Sequence, residues 1–281
     1  MTDGAGREDG PVAIPATVMG APAEQEIVAR IADAERRRRL RDRGLFAATW
    51  VGLAVAIVVF LGGRLDLAFY GTWGLFILGG ALNTILLTVF ALTAACAIAV
   101  VGALARLSTN PVVNAVASFY VSLIRGTPLI VQIFVWAFGL AAQGVVLPLF
   151  EAGVIALAVN YGAYMTEVFR AGIQAVPPGQ REAALSLGMP DRLIMRRIVL
   201  PQAIRIVIPA IGNDFIAMIK DTSLVFAIGI QELVSRANQS GRQTSNVMEA
   251  LLFAALIYWV LTLVFSFLQD RLERRMARGD R

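Results

Sequence analysis

IQAVPPGQREAALSLGMPDRLIMRRIVLPQ, residues 173–202, is the stretch on which the reading of this chain turns. It lies between apolar runs, is too long for a simple turn, and carries too many local signals for a formless loop. Pro177, Pro178 and Gly179 stop the preceding run. QREAALSL then reads as a short helix with Glu182 in its first turn, favourable toward the helix dipole, and Gly188 as a left-handed C-terminal stop. Asp191 is placed to cap a second short helix. Leu193, Ile194 and Ile198 give that helix an apolar side, and Arg196 and Arg197 suit its C-terminal end before Pro201 closes it and opens the next run. The spacing predicts two short helices at an angle, held at a membrane face. Such a pair either docks into a groove on a cytoplasmic partner or anchors the fold at the interface.

The flanks explain why a membrane is involved. Of 281 residues, 57% are hydrophobic and 16% charged, more apolar matter than one water-soluble core can bury. The apolar residues fall into runs near the length that spans a bilayer. Six spans are expected, at 45–62, 78–104, 112–141, 148–172, 203–227 and 248–268, giving an all-α integral membrane fold. The third contains Arg125, Gly126 and Pro128, so a tilted or broken helix is expected there. The chain shows no strong internal repeat.

Charge sets the orientation. On one face, the segment before the first span, the connections 105–111 and 173–202 and the tail after 268 together carry 18 arginines and lysines; the opposite connections carry 3. Both termini are therefore expected in the cytoplasm. Residues 1–44 form a tail whose first 25 are rich in Gly, Ala and Pro. EIVARIADAERRRRLRDR (26–43) follows as a basic helix suited to an anionic lipid surface. With the basic residues placed beside spans in this way, the net charge of +5 reports orientation rather than nucleic acid.

The absence of histidine and the single Cys96 exclude His/Cys metal clusters, disulfide frameworks and His-based triads. No Gly-rich phosphate loop appears either. No metal or cofactor is expected on this chain, and any energy source must come from elsewhere.

Glu182, Ala183, Ala184, Gly188, Ile198, Leu200 and Pro201 fill the spacing of the EAA loop, and the chain resembles the membrane subunits of ABC importers. SLIRGTPLIVQIF (122–134), NYGAYMTEVFRAGIQAVPPGQ (160–180) and LPQAIRIVIPAIGNDFIAMIKDTSLVFAIGIQEL (200–233) make it similar to the polar amino acid permease branch in particular. Ala171 stands where relatives often have glycine, and Pro178 where they often have a basic residue. The resemblance covers about 78–275 and implies a five-helix type I permease core, to which the span 45–62 is an addition. It also implies a second permease subunit, identical or paralogous, two ATP-binding subunits that use the ATP, and an extracytoplasmic binding protein. By the same likeness the two short helices sit in the ATPases, and the setting is a bacterial plasma membrane.

Charges at membrane depth need partners. Asn160, Tyr164 and Glu167 share one helix face and are candidates to line a polar path. Glu167 could accept an amino acid's ammonium group, and Arg125 with the Thr127 hydroxyl could hold its carboxylate. Alternatively Glu167 and Arg125 pair with each other, or Glu167 with Arg170, to lock helices together. Asp221 follows Lys220, and both need partners elsewhere, as do Asn213 and Asp214. A rival reading, an ion-coupled transporter using Glu167, Asp221 and Lys220 as a relay, has no use for the EAA loop. A third reading, a membrane scaffold or sensor using the basic N-terminal helix for recruitment, predicts no substrate passage at all.

Overall fold

The computed structural model describes residues 67–277, with isolated helical positions between 41 and 55. The expectations for the tail 1–44 and the span 45–62 fall, but for those few positions, outside the described residues. Among the described residues every regular element is helical.

α1 (Leu67–Leu78) leads through Gly79 into α2 (Gly80–Arg106). Together they make an apolar stretch of 39 residues, Ala68–Arg106, about 58 Å at helical rise and longer than one bilayer crossing requires. Residues 63–77 were expected as a connection; their second half is instead helical, because Phe69 and Ile77 are buried against Leu233, Ala237, Ala250 and Ala254.

α3 (Pro111–Arg125) starts on Asn110, whose side chain accepts from the Val112 and Val113 N–H groups, as an N-cap should. The expected break in the third span is present. Gly126, Thr127 and Pro128 interrupt the helix, and α4 (Leu129–Phe134), continuing through a π-turn at Val135–Gly139 into Leu140–Ala142, leaves at 104°. α5 (Leu149–Gln174) packs along α2, where Ala91, Ala95, Ala99 and Ala103 form a buried ladder four residues apart. Side chains that stop at Cβ let the two helices approach closely.

α6 (Pro178–Ser186) and α7 (Asp191–Ile194) are the two short helices of the 173–202 stretch. The second does not end at Pro201. It passes through a π-turn at Met195–Val199 directly into α8 (Leu200–Asp221). Proline lacks one N–H, and the wider turn just before it keeps the helix continuous. Two local expectations are also corrected. α6 begins at Pro178, so Glu182 lies beyond its first turn, and Asp191 makes no capping bond but pairs with Arg181 at 2.8 Å.

After α8 the chain tightens into a 3₁₀ stretch, Thr222–Ile228, turns at Gly229, and forms α9 (Leu233–Thr244) and α10 (Val247–Ala277). α9 was expected as part of the connection 228–247; a polar helix of this kind has no hydropathy signal. Its N-cap is Glu232, fully buried, which accepts from the Val234 and Ser235 N–H groups and from the Tyr258 hydroxyl. Among the described residues three helices are long and apolar enough to cross a membrane, or four with the bent pair as one span. α8, the counterpart of the expected span 203–227, carries Arg205, Asp214, Lys220 and Asp221.

Candidate functional site

Two places on this frame hold the residues that the sequence singled out. The first is the 173–202 stretch. Val176, Ala184, Ile194, Val199 and Ala203 form a small core of their own, so Ala184 is the packing member of the EAA signature while Glu182 and Ala183 face outward. Ile198 packs against that core; Leu200 and Pro201 are exposed. The Met189 N–H donates to the Ala184 carbonyl and the Gly188 N–H to that of Leu185, the two bonds of a Schellman stop with glycine at its left-handed position. Gly188 has φ +73. Just before it, Leu187 is 82% exposed, an apolar side chain at the apex of the turn that the signature does not include.

The second place is a cavity of about 540 Å³ lined by Arg125, Gly126, Thr127, Pro128 and Leu129 at the bend, Asn160, Tyr161 and Tyr164 on α5, and Asp214, Ala217 and Asp221 on α8. Of the six candidates for a substrate path, Arg125, Thr127, Asn160, Tyr164 and Asp221 meet here. Glu167 does not. It sits further along α5, bridged by Arg106 Nε at 3.1 Å and Arg170 Nη2 at 2.7 Å. Arg106 also donates to Asn114 and Ser118, so the cluster ties α2, α3 and α5 together. Of the pairings weighed for Glu167, that with Arg170 is present and that with Arg125 is not. The Arg125 guanidinium lies over the Tyr164 ring, 5.1 Å from its centre.

The Thr127 hydroxyl does not serve as a free donor either. It donates to the Leu123 carbonyl and accepts from Gln132. Asp221 accepts from the Tyr161 hydroxyl at 2.7 Å, and Asp214 Oδ2 is buried with no hydrogen-bond partner among the described residues. The cavity thus presents two carboxylates and an amide from the α5 and α8 side, and one guanidinium from the bend. Tyr161, Gln132 and Arg106 were missed by the sequence reading, since a tyrosine or a glutamine inside an apolar run carries no spacing signal, and Arg106 counted only as a basic residue at a span end. No group of three or more acidic, cysteine or histidine side chains able to hold a metal occurs among the described residues.

The family model described as "Binding-protein-dependent transport system inner membrane component" matches residues 98–278. The chain belongs to this family. Its relatives include the arginine transport system permease protein ArtQ of Bacillus subtilis (strain 168), 38% identical over 206 residues, covering 73% of this chain and 94% of ArtQ. The L-cystine transport system permease protein TcyB of the same organism is 41% identical over 201 residues, covering 71% and 86%. Among solved structures, an amino acid ABC transporter crystallised with histidines shares 41% identity at a TM-score of 0.72, covering 75% of this chain and 99% of that one. The MetNI methionine ABC transporter in an inward-facing form, at 20% identity and a TM-score of 0.59, shares the fold. The permease is thus a multi-pass membrane protein of the ABC amino acid permease group, as its EAA loop and the stretches 122–134, 160–180 and 200–233 together implied.

Proposed function

We propose that this permease is the membrane-spanning subunit of an ATP-driven, binding-protein-dependent importer of polar amino acids. It forms half of the path with a second permease, identical or paralogous, and passes the work of two ATP-binding subunits to the cavity. An extracytoplasmic binding protein delivers the amino acid, and both termini lie on the cytoplasmic side of a bacterial plasma membrane. This chain binds no cofactor of its own; ATP is used by the partner subunits.

The observation that carries the reading is the continuity of α7 with α8. The docking helix and the cavity carboxylates Asp214 and Asp221 belong to one helical run, so force applied at the membrane face reaches the site where an amino acid is held. An ion-coupled relay through Glu167, Lys220 and Asp221 fits less well, because Glu167 is held by two arginines and does not line the cavity with Asp221.

Uptake by the complete importer in proteoliposomes tests this. Accumulation is expected to require ATP and the binding protein, and to survive collapse of the proton and sodium gradients. Uptake that follows an ion gradient without ATP would establish the relay instead.

A further inference from the structure

Gln132 is 6% exposed and lies four residues past Pro128, on α4. Its Nε2 is 2.8 Å from the Ile124 carbonyl oxygen, 3.2 Å from that of Thr127 and 2.7 Å from Thr127 Oγ1. A side-chain amide can be drawn either way round, but here the chemistry decides. Carbonyl oxygens only accept, and the Thr127 hydroxyl has its proton on the Leu123 carbonyl; an amide oxygen turned toward them would face three acceptors and no donor. The nitrogen must therefore face the bend, where it takes up the Ile124 and Thr127 carbonyls at the end of the broken helix.

The consequence passes to the next helix. With its nitrogen so engaged, Gln132 can offer only Oε1 to Asn160, and Asn160 meets it through Nδ2 at 3.2 Å. That fixes the second amide as well. Asn160 lines the cavity, and its Oδ1, the end of the amide not engaged with Gln132, has no hydrogen-bond donor among the described residues. The same cavity is lined by Asp214 and Asp221, both acceptors, while the guanidinium of Arg125 lies at the bend.

We propose that Gln132 is a positioning residue: it locks Asn160 with its amide oxygen toward the cavity, so that this oxygen joins the Asp214 and Asp221 carboxylates as the acceptors that recognise the ammonium group of the transported amino acid. The inference rests on the cavity being the substrate path. Without Gln132, the terminal torsion of Asn160 is broad and roughly two-fold, and the side chain can turn donors toward an ammonium that needs acceptors.

The test uses a strain lacking the chromosomal copy, complemented with full-length variants and offered an equimolar mixture of the twenty common amino acids. Those whose accumulation depends on this permease are scored, with the amount of permease in the membrane measured by immunoblot. Asn160→Ala and Gln132→Met are each expected to lower that uptake by roughly tenfold, the equivalent of one hydrogen bond to a charged group. The double variant is expected to match Asn160→Ala alone, because Gln132 acts through Asn160. Gln132→Glu, held protonated by its burial, keeps an acceptor for Asn160 Nδ2 and one O–H donor for the carbonyls at the bend, and is expected to retain more uptake than Gln132→Met, the reverse of what a packing role for a buried residue gives.

Losses that multiply in the double variant, wild-type uptake by Gln132→Met, Gln132→Glu faring worse than Gln132→Met, or absence of both Gln132 variants from the membrane would each overturn the assignment. Full uptake by Asn160→Ala, or no amino acid depending on the permease, would instead bring down the reading of the cavity itself.

Discussion

Replacing Gly188 tests whether the shape of the turn between the two short helices is what links the permease to ATP hydrolysis. A Cβ added there meets nothing within 4 Å, so any cost comes from the backbone and not from a clash. At φ +73 an alanine costs about 1 kcal/mol, and a β-branched valine about 2 kcal/mol or more, relative to glycine. Those figures correspond to roughly 5-fold and 30-fold losses in the population of the native turn. Asparagine tolerates the left-handed region and should sit near wild type. The assay is ATP hydrolysis stimulated by the binding protein in reconstituted complexes, normalised to assembled permease. Stimulation is expected to fall in the order Gly188→Asn, Gly188→Ala, Gly188→Val, with basal hydrolysis by the ATPases unchanged. Normal stimulation in assembled Gly188→Val complexes would refute the argument, as would an asparagine variant worse than the alanine one.

Glu167→Gln leaves Arg106 and Arg170 near each other with one carboxylate fewer, which should cost about 1–3 kcal/mol and show as a lower melting temperature or less permease in the membrane. Adding Arg106→Gln should restore part of that loss, whereas adding Arg125→Gln should not; recovery with Arg125 alone would contradict the cluster described above. A reporter fused after Arg281 should be active only as a cytoplasmic reporter, and an extracytoplasmic signal would reverse the orientation drawn from the arginine distribution.

The stretch 173–202 could be read from sequence because its signals are local. A proline pair, a glycine at a helix stop and an apolar triplet act within a turn or two, and the Schellman bonds around Gly188 confirm the stop. The break at Gly126–Pro128 was legible for the same reason. What escaped depends on partners distant in the chain. α9 is polar along most of its length and is held in place by Leu233 and Ala237 packing on α10. Pro201 reads as a terminator unless the π-turn before it is foreseen. Glu167 was placed on a shared face by its spacing from Asn160, yet Arg106, 61 residues away, claims it. Gln132 gave no signal, since its role follows from which acceptors surround it.

In the proposed coupling, the unbroken run from Asp191 to Asp221 acts as a lever. At helical rise it is about 45 Å long, and each degree of tilt moves one end about 0.8 Å relative to the other. Pro209 lies within it, where the ladder lacks a donor and bending is easiest. Gln269 of α10 donates to the Pro209 carbonyl at 3.2 Å, so the fulcrum is clamped from the side. In that coupling a stroke at Asp191, about 27 Å from the fulcrum, would return about two-thirds of its size at Asp221 and less than about a third at Asp214, which lie about 18 Å and 8 Å beyond it at helical rise, and the stiffness of the clamp would set how much of each stroke is lost to bending.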